Sequence, residues 1–277
     1  MVGLYGLRGV ALITGAASGI GLDCAKSFAD EGCVGIIFAD LDRQKAEEAA
    51  KEGAFFCADS DCQTLALQVD VSDPASVEAM VAKTVEVFGR IDYCVHSAGV
   101  GARQPYSVLD MPVAELDRFH DVNERGTFNV IQCVGRQLMK QEPLVELTRK
   151  GEKLSQGSIV TLASCHSFAA AQNLAQYITS KHAVMGLTRA ASLDLAKYGI
   201  RVNAVCPGWV DTPMVTGAVE ANPEIGRYIE RLVPFGRRAT LEEISDVILF
   251  LSSPRASFVT GAGWVVDGGL TVGFPPS

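Results

Sequence analysis

The sequence predicts an α/β fold, doubly wound, with a parallel sheet of about seven strands and helices on both of its faces. Three observations lead there. Short apolar runs alternate along the chain with longer stretches of helical periodicity, which is the pattern of βαβ units. A glycine-rich turn joins the first apolar run to the first amphipathic stretch. No linker or break in composition divides residues 1–277, so the chain reads as one domain.

Taken in order, Val10–Thr14 is a strand, and the spacing of Ile20, Cys24 and Phe28 predicts a helix that stops at Gly32. The run 34–38 is a second strand closing on Asp40, and the charged stretch 42–52 is the next helix. Strands at 65–69 and 91–96 follow, separated by a helix over 74–88, and the periodicity of 113–139 predicts one long helix. Beyond a polar stretch come a strand at 158–163, a helix at 175–198, a strand at 201–206, and a last helix and strand near 242–252 and 264–267. Segments 54–64 and 141–156 exceed the usual connection of about 4 to 6 residues and read as surface insertions.

Apolar residues make up 48% of the chain and charged ones 20%, ordinary for a folded domain. The net charge of −8, with no cluster of Lys and Arg, argues against a nucleic-acid partner. Eight cysteines form no Cys-x-x-Cys pair, so most are expected as buried thiols in a reducing compartment, and no metal site is expected. Neither a signal-peptide core nor a run of roughly 18 apolar residues is present, so the expectation is a cytoplasmic protein without a membrane partner.

Chemistry concentrates in three places. The turn Gly15, Ala16, Ala17, Ser18, Gly19, Ile20, Gly21 aims backbone N–H groups and a helix N-terminus at the space above the sheet, where a pyrophosphate fits. Asp40, ending the second strand, can accept hydrogen bonds from ribose hydroxyls and would repel a 2′-phosphate. Leu41 rather than a base follows it, which favours NAD over NADP, with Arg43 the one nearby cation that could soften the preference. Tyr177 and Lys181 stand four apart on one helical face, and the cation should lower the phenol toward a useful base. Ser164, at the end of the preceding strand, can reach the same substrate oxygen as Tyr177.

With these residues the chain, from about Gly9 to Leu270, resembles the classical members of the short-chain dehydrogenase/reductase family, whose fold is of Rossmann type. Asp70 and Val71, Asn123, Ser164, Tyr177, Lys181, Pro207 and Gly208 occur in that family's order. The resemblance implies hydride transfer between a nicotinamide and a carbinol carbon, with Tyr177 moving the hydroxyl proton and Ser164 holding the oxygen. It implies that Lys181 binds the nicotinamide ribose, that Asn123 holds a relay water, and that Thr212, assisted by the Val210 backbone, fixes the carboxamide. Val122, Ser97, Ala98 and Gly99 are further implied cofactor contacts. One departure is His96-Ser97 where the family usually carries two asparagines ahead of Ala-Gly.

Segments 101–106, 166–173 and 209–235 are expected to wall the substrate pocket, with Phe168, Trp209, Met214, Leu232 and Phe235 making it apolar. The expected substrate is an apolar secondary alcohol or ketone, terpenoid, polyketide-derived or steroid-like. Alternatives are an NADPH-dependent ketoreductase, a reductive cyclase, or a non-catalytic cofactor-sensing regulator. His166 is expected as a satisfied loop residue and His182 as a packed one. The long helices and the apolar tail 258–274 resemble surfaces that build homotetramers or dimers in the family.

Overall fold

The computed structural model describes residues 3–102, 104–148 and 151–273, with the backbone alone at 147, 148, 214, 218 and 221. Its strands are β1 (Val10–Thr14), β2 (Gly35–Asp40), β3 (Gln63–Gln68), β4 (Tyr93–His96), β5 (Leu144–Thr148), β6 (Gly151–Ser155), β7 (Gly157–Leu162), β8 (Ile200–Pro207) and β9 (Gly263–Val266). Seven of them form one sheet in the order β3-β2-β1-β4-β7-β8-β9, and every neighbouring pair in it is parallel. The chain winds outward from β1 to β3, then crosses back to lay β4 on the other side of β1. The strand order therefore reverses between β1 and β4, and their carboxyl ends open a crevice there.

Alternation along the strands assigns the two cores. Ala11, Ile13, Tyr93 and Val95 pack with Cys24 and Phe28 of α1 (Gly19–Glu31) and with Ile244 and Ile248 of α9 (Leu241–Ser252). Leu12 and Cys94 face the opposite way, against Val77 and Met80 of α3 (Pro74–Phe88) and Val130 and Val134 of α5 (Gly126–Leu138). All five residues of β1 are buried, as a strand covered on both faces requires. Burying each such Ile or Leu side chain contributes about 1.5–3 kcal/mol. Helix starts follow short polar caps: Asp42 accepts from Lys45 N at α2 (Arg43–Gly53), Asp73 from Ala75 N at α3, and Thr240 with Glu243 closes a capping box at α9.

The structure departs from the sequence expectations in four places. The helix expected over 113–139 is three pieces: α4 (Val113–Phe119), a π-helical turn His120–Arg125, and α5. The wide turn carries Asn123, whose side chain leaves the helix to bond Val100 and Ser180, and farther on in α5 Asn129 Nδ2 donates to Val71 O at 2.9 Å. The segment 141–156 is not a loose insertion: it holds the antiparallel hairpin β5–β6, anchored by the buried Glu146, which accepts from Tyr93 Oη at 2.9 Å. Segment 209–235 contains two helices, α7 (Pro213–Ala221) and α8 (Pro223–Leu232), the second capped by Asn222. Finally, Cys57 and Cys62 are joined as a disulfide, so these two are not buried thiols, while Cys24, Cys33, Cys94, Cys165 and Cys206 are.

Candidate active site

A cleft of about 490 Å3 lies at the carboxyl ends of β1 and β4. Every residue singled out above as a cofactor contact borders it except Gly21, which is buried behind the turn. Val69, Val100, Gly101, Leu162, Ala163, Pro213 and Val215 border it too. Gly101, Pro213 and Val215 come from the segments 101–106 and 209–235 expected as pocket walls, and the others lie within two residues of a motif residue.

The glycine-rich turn is shaped for close approach. Gly15 has φ 68°, a left-handed conformation, and a Cβ there would lie 2.7 Å from Ala98 N, so the turn presses directly on the segment leaving β4. Ser18 caps α1 without a side-chain hydrogen bond, and no acidic residue sits in the first turn. The first amide donors of α1 are thus left for an anion, the arrangement a dinucleotide pyrophosphate fits. Asp40 is not the cap of α2, a role that falls to Asp42. Its Oδ2 accepts from Ala17 N at 3.1 Å and its Oδ1 from Asp42 N at 3.1 Å, which ties the second strand to the turn and holds the carboxylate at the cleft edge. Arg43 is drawn aside by Glu47, Nε to Oε1 2.9 Å. Asp70 accepts from Ser72 in the turn before α3, and Thr212 Oγ1 accepts from Val215 N at the start of α7.

Tyr177 and Lys181 lie in the first turns of α6 (Ala175–Ala196). The Tyr177 ring is held edge-on by Phe119 and His166, at centroid distances of 6.2 and 6.1 Å. Lys181 is buried, its Nζ 5.8 Å from the Tyr177 ring centroid and donating to Leu162 O at 2.7 Å. Burial brings the ammonium down from 10.5 to about 8. The phenol moves the other way from the sequence expectation: burial raises it above its usual value of 10, and a hydrogen bond with Ser164 opposes the rise. The i, i+4 cation is a neighbour, but the groups that set the phenol are its burial, which dominates, and Ser164, which opposes it.

Ser164 follows β7 and caps a short 3-10 turn, its Oγ accepting from His166 N at 3.1 Å. That turn is stitched to α6 by Ser167 Oγ, which donates to Lys181 O at 2.7 Å. Asn123, from the π-turn, is buried: Nδ2 donates to Val100 O at 3.1 Å and to Ser180 Oγ at 3.0 Å, and Oδ1 accepts from Val100 N at 2.8 Å. The asparagine therefore clamps the exit of β4 to α6. His182 is exposed rather than packed, with Nδ1 2.9 Å from Ile178 O. Cys165 is held as a thiol by burial.

Gly101, Val210, Pro213 and Val215 of the segments expected as pocket walls border this cleft, but the large apolar side chains expected there do not. Phe168 turns toward Arg189, whose guanidinium lies 5.8 Å from its ring, and Phe235 is 74% exposed. Trp209 and Leu232 also lie off the cleft, Leu232 at the far end of α8, while Val210, Thr212, Pro213 and Val215 of the same stretch border it. The Met214 side chain, Arg103 and Phe274 lie outside the described residues. Among the described residues no group of three His, Cys, Asp or Glu side chains gathers to hold a metal, and no helix is long and apolar enough to cross a membrane.

A dinucleotide crevice beside a Ser, a Tyr and a Lys defines a nicotinamide-dependent oxidoreductase of Rossmann fold. Comparison with known proteins is more specific. Residues 15–271 match the family model described as Enoyl-(Acyl carrier protein) reductase. The chain is 45% identical over 268 residues to the short-chain dehydrogenase anuF of Penicillium roqueforti, covering 96% of this chain and 97% of that protein. It is 34% identical over 264 residues to the mitochondrial (-)-isopiperitenol/(-)-carveol dehydrogenase of Mentha piperita, covering 94% and 92%. The crystal structure of levodione reductase superimposes with a TM-score of 0.85 at 32% identity, over 96% of this chain and 98% of that one. The chain belongs to the short-chain dehydrogenase/reductase family.

Proposed function

We propose that this oxidoreductase is an NAD-dependent dehydrogenase that interconverts a secondary alcohol and a ketone on an apolar small molecule. The observation that carries the reading is that Tyr177 and Lys181 border the crevice edged by Asp40, with Ser164, which does not itself border it, hydrogen-bonded to Tyr177. The residues fit a dinucleotide: the open amides of α1 for its phosphates, Asp40 for the adenosine ribose, Lys181 for the nicotinamide ribose. When bound, the nicotinamide supplies or receives the hydride.

The chain's own residues do the rest. Ser164 Oγ holds the substrate oxygen. Tyr177 Oη gives that oxygen a proton in the reducing direction and removes it in the oxidising one. In the free protein the phenol is protonated, ready as an acid, and the Lys181 ammonium beside it favours the phenolate needed as a base. Preference for NAD rests on the Asp40 carboxylate, on Leu41 after it, and on the engagement of Arg43 with Glu47. Lys181 is the one cation among the described residues bordering the cleft, which supports a substrate without carboxylate or phosphate. The names of the carveol dehydrogenase and levodione reductase relatives point the same way. Assembly into a homo-oligomer is part of the same reading, supported by the exposed Leu193, Phe258, Trp264 and Val265.

A panel of apolar cyclic and acyclic secondary alcohols, assayed with NAD and NADP, tests the reading. Turnover with NAD that falls about 10²–10⁴-fold in Tyr177→Phe is expected. Reaction of short charged hydroxy acids alone, a product with an altered carbon skeleton, or an unchanged biological role in Tyr177→Phe would each displace it. Light scattering on the eluting protein reads the assembly.

A further inference from the structure

His96 is a second ionisable side chain beside Lys181, and the reaction described above makes no use of it. It ends β4, is 2% exposed, and is in register with Thr14 of β1 and Thr161 of β7. Its Nδ1 lies 2.8 Å from Thr14 Oγ1. Its Nε2 is buried and has no hydrogen-bond partner. An orphaned polar atom in a native interior calls for an explanation, since leaving one costs as much as a lost hydrogen bond.

Strand alternation shows where the ring points. Cys94, two residues earlier, faces the core lined by α5 and by Leu187 of α6, so His96 faces α5 and α6 as well. Lys181 comes from that side to reach Leu162 O, one residue beyond the register partner of His96. The two side chains thus meet the same strand ends from the same face, and Lys181 is the charged group acting on the imidazole. The other nearby polar groups are committed: Thr161 Oγ1 to Thr188 and Asn203 O, Asn123 Nδ2 to Val100 O and Ser180.

The tautomer follows. Thr14 Oγ1 already accepts from Ala98 N at 3.3 Å and has a second lone pair to accept from Nδ1–H. That leaves a lone pair at Nε2. The opposite tautomer would turn an N–H dipole without an acceptor toward a cation. Burial, reinforced by Lys181, brings the ring down from 6.5 to about 3, so it is neutral throughout the working range.

We propose that His96 is a positioning residue for the reaction, a neutral imidazole protonated at Nδ1 toward Thr14, whose Nε2 lone pair faces the Lys181 ammonium and keeps it charged beside Tyr177. The role rests on the reading of Lys181 as the partner of Tyr177. The tautomer can be tested without that reading.

Nitrogen NMR of the protein labelled at histidine should show His96 as Nδ1–H at neutral pH. A Nε2–H signal would overturn the proposal in wild-type protein, before any variant is made. His96→Leu should bring the Lys181 titration, followed by NMR of the lysine side chain, down by about one pH unit. It should also lower kcat/KM roughly tenfold and move its pH profile with Lys181. His96→Gln, which offers an amide oxygen, should recover most of both. An unmoved Lys181 titration in a folded His96→Leu protein, or in folded His96→Gln and His96→Leu proteins alike, would refute the role. If Lys181→Met left turnover intact, the proposed function would fail while the tautomer result still stood.

Discussion

Lys181→Met is expected to change the pH dependence of stability more than stability itself. The ammonium is 8% exposed, and burial brings it from 10.5 to about 8. A base whose folded value is lowered gives up its proton in the native state first. Between about pH 8 and 10.5 the unfolded chain therefore binds more protons, and wild-type stability rises with pH. Below that window the charge burdens the fold by about 3 kcal/mol, at ~1.4 kcal/mol per pH unit, and above it the burden is gone. Methionine carries no charge but leaves Leu162 O without its donor, a loss of about 1–3 kcal/mol at any pH. The two effects nearly offset at pH 7. At pH 10 the lost hydrogen bond remains alone, so the stability of the variant relative to wild type should fall by roughly 2–3 kcal/mol between pH 7 and pH 10. Urea unfolding of the cofactor-free proteins at both pH values, followed by tryptophan fluorescence and circular dichroism, measures this. A difference that stays constant with pH would refute the claim that a buried cation strains the site.

Asp40→Ser should lower the ratio of NADPH to NADH dissociation constants at least about tenfold, because a carboxylate facing a 2′-phosphate is removed. Fluorescence titration with both nucleotides reads it, and an unchanged ratio would move the source of selectivity elsewhere. Glu146 is a buried carboxyl raised by desolvation, so the fold favours its neutral form and wild-type stability drops as pH rises through its titration. Glu146→Gln should therefore be at least as stable as wild type at pH 7 and lose any advantage near pH 4.5; thermal melts at the two pH values decide. Denatured, unreduced protein should show six titratable thiols rather than eight, and eight would place Cys57 and Cys62 outside a disulfide.

The sheet was legible because its strands are short, apolar and regularly separated, and the Gly-rich turn, Asp40, Tyr177 and Lys181 all border the cleft at the carboxyl edge, where strand-to-helix connections lead. What escaped has physical causes. The β5–β6 hairpin hides behind a charge: Glu146 reads as surface, yet it is buried and bonded to Tyr93 across 53 positions. The helices α7 and α8 begin at Pro213 and Pro223, the second behind the cap Asn222, a signal present in the sequence but outweighed by expected loop character. The direction of the Tyr177 shift was out of reach because spacing along a helix gives neighbours but not desolvation. The open Nε2 of His96 likewise belongs to the packing of three strands and two helices, not to any local pattern.

The π-helical turn at His120–Arg125 has a consequence for anyone redesigning this chain. A wide turn spends more residues than an α-turn, so the sequence spacing of buried positions shifts between α4 and α5 while the chain runs on as a helix. Deleting one residue of the turn would restore uniform winding and improve local helix geometry. It would also remove the wide turn that carries Asn123 to Ser180 and Val100. The irregular turn is what carries the Asn123 clamp, and a shorter, more regular helix should loosen the exit of β4 from α6 and bind cofactor worse.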